Sequence, residues 1–458
     1  APLRNVFGVT TDDENYLFIG ETESTEGNTL FVKDLRSNGA LRQLADGFDY
    51  SYSLVGNVGA DAYFITNDQA PRYRLIKINL DNPSKENWTD IIPEQESVLT
   101  SVTMTGGKLA ATFMVDAASR LSLYSLEGAK IRDIDLGVLG TVGGVSGRME
   151  DSVMFYNFSS FTVPSVVYSC NVNTGATEEF FRPKFDFDFS KYTVEQQFYA
   201  SKDGTKIPIF IVHRADLQKD GKNPTLLYGY GGFNISLTPW FSTSRLAWLE
   251  QGGVYAIANL RGGGEYGESW HQAGTKLNKQ NVFDDFIAAE YLIAEKYTSS
   301  KMLAIQGGSN GGLLIGAVTN QRPDLFRVAV PQVGVMDMLR YQKFTIGWAW
   351  AGDYGTSEDS EESFKYLYAY SPLHNIRTDV QYPAVLVMTG DHDDRVVPAH
   401  SFKYIAELQY KQPKGAPKLV RIETRAGHGA GKPTSLAIAE LADMYAFMFY
   451  NMDFTPKF

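Results

Sequence analysis

Residues 307–311 read Gly-Gly-Ser-Asn-Gly, which fits G-x-S-x-G. A serine hydroxyl is a poor nucleophile alone; it needs a base to take its proton and an acid to orient that base. Six histidines are available. His213 and His271 precede the serine, and His374 (in SPLHN) suits a capping or packing role. His392 sits inside an acidic run, and His400 begins a helical stretch. His428, in RAGHGAGKP, follows the last strand-like run between glycines that keep a loop uncrowded, and is the best-placed base. For the acid, TGDHDDRVVP (389–398) offers Asp391, Asp393 and Asp394, and position does not choose among them. A phosphate-binding loop is the rival reading of the glycines, but it needs a G-x-x-x-x-G-K-[ST] pattern and no such lysine follows Ser309.

These residues must be carried by regular elements. MLAIQ (302–306) is an apolar strand and GLLIGAVTN (312–320) a helix-forming run, so Ser309 sits on a strand–turn–helix elbow. Gly307 and Gly311 let strand and helix pass closely; Gly308 and Gly312 carry only a steric expectation. The residue after an elbow nucleophile supplies its backbone N–H to the developing oxyanion, so Asn310 is read as acting through its main chain, with a side chain free to vary. YPAVLVMTG (382–390) leads into the acidic run, and LVRIETRAG (419–427) leads into His428. Together with KIPIFIVHR (206–214), PTLLYGY (224–230), VYAIANL (254–260) and the helical runs at 281–297 and 435–452, they imply an α/β unit with a mostly parallel sheet and helices on both faces.

The first 182 residues follow another grammar. GNTLFVKDL, RYRLIKINL, RLSLYSLEG and SVVYSCNVN are alike, each an alternating strand run followed by a polar turn. Taking Phe31, Leu75, Ser122 and Val167 as equivalent, the spacings are 44, 47 and 45 residues. A period of roughly 40–50 residues with several strands per unit is the mark of propeller blades. An all-β sandwich is the alternative. About four blades fit. The link near residues 182–195 is a candidate hinge, unless its aromatic stretch FDFDFSKY (185–192) is docked.

The 458 residues are 43 % hydrophobic and 21 % charged, as expected of a globular chain of two or more domains. A net charge of −11 argues against nucleic acid as a partner. No apolar run reaches the roughly 18 residues needed to span a bilayer. Cys170 is the only cysteine, which excludes an intramolecular disulfide and a cysteine-based metal site.

GGSNGG, DHDDRVVP and AGHGAGKP, with YGYGGFNIS (228–236), ANLRGGGEYGESWH (258–271) and FTIGWAWAGDYG (344–355), closely resemble the prolyl oligopeptidase family of serine peptidases. The resemblance extends over essentially the whole chain. It implies a partial β-propeller domain over 1–182, with about four blades of an expected seven, and an α/β-hydrolase peptidase domain over 183–458. It implies Ser309 as nucleophile and His428 as general base, and it selects Asp393 as the orienting acid. Tyr230 and the Asn310 N–H would form the oxyanion hole. Trp350, Phe233, Tyr354, Val335 and Val396 would line a slot for proline, although Trp350 and Phe233 read by themselves as ordinary core residues. Arg395, which alone reads as an ion-pair partner of Asp393 or Asp394, would bind the substrate carbonyl before the proline.

The implied activity is cleavage of short peptides after proline, with no cofactor. A related oligopeptidase or acylaminoacyl peptidase, and an inactive propeller binding module, are the alternatives. The resemblance also leads us to expect a missing N-terminal segment of the same protein as a partner. We further expect a monomer, no membrane partner and a cytoplasmic location, with a periplasmic or secreted one left open.

Overall fold

The computed structural model describes residues 3–429 and 431–457. They form two compact units that part between Phe187 and Asp188, a few residues beyond the expected seam, and two short segments (238–241 and 265–269) group with the first unit. Phe185 of the aromatic stretch packs edge-on against Phe241 at 5.0 Å, so this part of the stretch is docked within the first unit.

The first unit holds four four-stranded antiparallel sheets in sequence. They comprise Asn5–Thr10 to Arg42–Ala45, Tyr52–Val58 to Thr89–Ile92, Val98–Thr105 to Lys130–Ile134, and Thr141–Ser146 to Thr177–Phe181. Each is a simple meander, the construction of a propeller blade. Phe31, Leu75, Ser122 and Val167 all fall in the third strand of their sheets. The regular spacing thus arises because the same strand of each blade buries its apolar residues against a neighbouring blade. Phe18 meets Phe64 at 5.3 Å between the first and second sheets. Leu75 and Ile92 share a core with Leu109 and Phe113, and Ala110 and Leu121 share one with Met154 and Phe158. Val6, Phe7 and Val9 of the first strand, and Phe180 and Phe181 of the last, are exposed.

The second unit is built on an eight-stranded sheet. Its strands are β1 (Tyr192–Ala200), β2 (Lys206–Arg214), β3 (Thr225–Tyr228), β4 (Val254–Ala258), β5 (Leu303–Gly308), β6 (Val328–Gln332), β7 (Ala384–Gly390) and β8 (Lys418–Glu423). The order is β1-β2-β4-β3-β5-β6-β7-β8. β1 and β2 pair antiparallel, as do β2 and β4; the rest is parallel. The main helices are α1 (Thr243–Glu250), α2 (Gln280–Ile287), α3 (Asn310–Gln321), α4 (Glu361–Tyr370), α5 (Ala399–Lys411) and α6 (Thr434–Asn451).

The central strands are continuous apolar runs because both faces are covered. Val254, Ala256, Leu303, Ile305, Val385 and Val387 turn to one face, where Phe283 and Phe286 of α2 and Tyr404 and Leu408 of α5 pack. On the other side Trp248 of α1 stacks on Phe449 of α6 at 5.0 Å, and α6 lies on β6 and β7. α3 is buried along nearly all of its length, which explains a helix that is apolar all round. No described helix is long and apolar enough to cross a membrane.

Candidate active site

β5 delivers Ser309 to the carboxyl edge of the sheet, and α3 leaves directly after it. Ser309 has φ 58° and ψ −117°, a conformation that costs a non-glycine residue on the order of 1–3 kcal/mol. The turn is held by hydrogen bonds from the Ser309 N–H to the Gln332 carbonyl (2.9 Å) and from the Gly312 N–H to the Ser309 carbonyl (2.9 Å). The surrounding glycines have different reasons. A Cβ on Gly307 would lie 2.4 Å from the Gly311 carbonyl oxygen, one on Gly311 2.7 Å from that of Gly229, and one on Gly312 2.6 Å from that of Gln332. A Cβ on Gly308 would meet nothing within 4 Å, so sterics do not demand glycine there.

Geometry separates the three candidate acids. Asp393 is 3 % exposed, and its Oδ2 lies 2.7 Å from Nδ1 of His428. Its Oδ1 accepts the backbone N–H groups of Arg395 (3.0 Å) and Val396 (2.9 Å), which fixes the carboxylate from behind. Asp391 pairs instead with the neighbouring His392, and Asp394 is exposed. A carboxylate can only accept, so His428 donates from Nδ1 and presents the lone pair of Nε2.

The other histidines are engaged elsewhere. His213 meets Glu195, His271 meets Asp353, His374 meets the Ser371 hydroxyl, and His400 accepts the Asp337 N–H. Among the described residues no hydrogen bond joins Ser309 to His428. The imidazole lies on a loop whose Gly429 and Gly431 have positive φ and open space around them.

Tyr230 follows β3 toward the same sheet edge. Burial first, and then the charge of Asp353, push its hydroxyl up to about 12, against the pull of the Ser309 side chain and Arg395. It therefore keeps its proton as a donor at ordinary pH. Beside it lies a run of aromatic rings. Phe233 meets Tyr354 edge-on at 5.3 Å, Tyr354 meets Tyr341 at 5.2 Å, and Tyr341 stacks parallel to Trp350 at 6.2 Å. Val335 and Val396 are buried in the same apolar cluster, with Phe233 and Trp350 partly buried against it. The Arg395 side chain is exposed; its tie to Asp393 runs through the backbone N–H rather than an ion pair.

The Asn310 side chain departs from expectation. It is buried, not free: Nδ2 donates to the Tyr230 carbonyl at 2.6 Å, and Oδ1 accepts from the Tyr354 hydroxyl at 2.9 Å and from Lys279 at 3.1 Å. Tyr341, Asp353 and Lys279 also belong to this region and were not anticipated. Asp353 stands beside Tyr354 in FTIGWAWAGDYG, whereas Lys279 lies in no motif.

Known proteins resemble this chain over nearly its whole length. A family model described as the prolyl oligopeptidase family matches residues 239–455, and one for the prolyl oligopeptidase N-terminal β-propeller domain matches 2–182. The chain is 48 % identical over 452 residues to a prolyl endopeptidase of Elizabethkingia meningoseptica, covering 98 % of this chain and 64 % of that protein. A solved structure from a study of two prolyl endopeptidases superposes with a TM-score of 0.95 at 43 % identity, covering 99 % of this chain and 67 % of that one. Oligopeptidase B from Leishmania major superposes with a TM-score of 0.91 at 27 % identity, covering 99 % of this chain and 66 % of that one. The chain thus spans about 64 % of the length of the curated relative it matches. With a β-propeller unit followed by an α/β-hydrolase unit, the chain belongs to the prolyl oligopeptidase family.

Proposed function

We propose that the protein is a serine endopeptidase that cleaves short peptides on the carboxyl side of proline. The observation that carries this reading is the hydrogen bond between buried Asp393 and half-buried His428, at the same end of the parallel sheet as the strained elbow of Ser309. With Asp393 on Nδ1, Nε2 of His428 takes the proton of Ser309 as Oγ attacks the proline carbonyl carbon. The oxyanion accepts from the Tyr230 hydroxyl and the Asn310 N–H, each contributing about 3–4 kcal/mol of transition-state stabilisation. The imidazolium then protonates the leaving amine, which departs and leaves an acyl-enzyme. Water, deprotonated by the same imidazole, releases the acid.

Specificity follows from the chemistry of proline. Its ring is compact, apolar and without an N–H, so rings and aliphatic groups select it without a charge. Trp350, Phe233, Tyr354, Val335 and Val396 supply that lining, and Arg395 binds the carbonyl before the proline. The test is covalent labelling by a fluorophosphonate with the modified peptide mapped. Label on Ser309 that disappears in His428→Ala supports the reading; an unlabelled Ser309 in folded protein refutes it.

A further inference from the structure

Lys279 immediately precedes α2 and is 1 % exposed. A buried ion pair carries a desolvation cost that often makes its replacement by apolar residues neutral or stabilising, so the pair of Lys279 with Asp353 asks for a purpose other than stability. Lys279 Nζ donates to the Gly231 carbonyl at 2.9 Å and to Asn310 Oδ1 at 3.1 Å, and lies 3.6 Å from Asp353 Oδ2. Asp353 Oδ1 in turn accepts the Phe233 N–H at 3.0 Å and lies 2.8 Å from Nε2 of His271. The Tyr354 ring lies 5.3 Å below the ammonium, and its hydroxyl donates to the same Asn310 oxygen.

These contacts converge on one short loop. The carbonyl of Tyr230 is held by Asn310, that of Gly231 by Lys279, and the N–H of Phe233 by Asp353. Between them, a Cβ on Gly232 would come within 2.6 Å of Asn310 Nδ2, so loop and amide are in direct contact. The loop carries the Tyr230 hydroxyl and the Phe233 ring, and Asn310 carries the other oxyanion donor on its backbone. We propose that Lys279 is a positioning residue for oxyanion stabilisation. Its ammonium locks the Asn310 side chain against the 230–233 loop, so that the Tyr230 hydroxyl and the Asn310 N–H keep a fixed separation. Donors held rigid before the reaction cost no reorganisation when the charge appears. This role rests on the serine-peptidase reading.

The test uses Lys279→Met and Tyr354→Phe in the intact protein. Three quantities are read: kcat and KM on a Pro-P1 substrate, affinity for a peptidyl prolinal, and affinity for the matching prolinol. The aldehyde adds Ser309 Oγ to form a hemiacetal whose oxygen occupies the oxyanion site, and the alcohol cannot. We expect Lys279→Met to lower kcat about 10- to 100-fold. Aldehyde affinity should fall in step with kcat/KM, while KM and prolinol affinity stay within about two-fold. Tyr354→Phe, which keeps its ring and loses one donor to Asn310, should show the same pattern more weakly, and it decides the matter if Lys279→Met does not fold. Unchanged kcat and aldehyde affinity in the folded variants overturn the proposal, as does an equal loss of prolinol binding. Wild-type protein inert to both the Pro-P1 substrate and the aldehyde overturns the underlying peptidase reading instead.

Discussion

Asp393 is held by hydrogen bonds whose shape matters as much as its charge. One oxygen is pinned by two amides of its own loop, so the other can only face His428. The sequence nominated three aspartates of like character, and what separates them is a local fold-back onto Arg395 and Val396 that no composition reveals. Asp393→Asn should keep the pinning oxygen but place an amide against Nδ1 and favour the wrong tautomer. We predict a kcat loss of about 10⁴-fold with little change in KM, read by steady-state kinetics on a Pro-P1 substrate. Asn310 teaches the opposite lesson. Its proposed backbone role follows from the elbow motif, but its side chain is committed to Tyr230, Tyr354 and Lys279, residues distant in sequence. Lys279 was illegible for the same reason: a lone lysine gains meaning only from partners that the fold delivers.

Elements were easier to read than side chains, because periodicity reports burial directly. The like runs of the first unit mark the third strand of each blade, and the apolar runs of the second mark strands covered on both faces. The elbow shows where this stops. Gly308 and Gly312 carried the same steric expectation, yet Gly312, like Gly307, abuts backbone and Gly308 abuts nothing. Gly307→Ala should therefore destabilise the protein by at least about 1–3 kcal/mol, whereas Gly308→Ala should stay within about 0.5 kcal/mol, as measured by thermal or urea unfolding.

The start of α5 carries a pH dependence of its own. Burial pulls the His400 imidazole down to about 4 from an ordinary 6.5, with Lys403 acting in the same sense and Asp337 and Asp393 opposing. In the unfolded chain this group takes a proton near 6.5, but in the native state only near 4. Between those values the unfolded state binds more protons, so stability falls as pH drops through the window and is unaffected above it. The full penalty is about 3 kcal/mol. His400→Asn, which retains an acceptor for the Asp337 N–H, should flatten the dependence of unfolding free energy on pH between those limits. An unchanged slope would contradict the assignment.

At the scale of the whole molecule, both domain types were legible because each repeats its own rule, blades by period and the α/β unit by alternation. In the proposed proline slot, Asp353 is buried and already answered by Lys279 and His271, so it offers no free charge to an incoming guanidinium. The account is tested most directly by kcat/KM on two substrates that differ only in P1, proline against arginine, with Ser309→Ala as control. It predicts that proline is preferred by at least about 100-fold and that Ser309→Ala cleaves neither. Equal or better cleavage after arginine, or undiminished activity in Ser309→Ala, would contradict it.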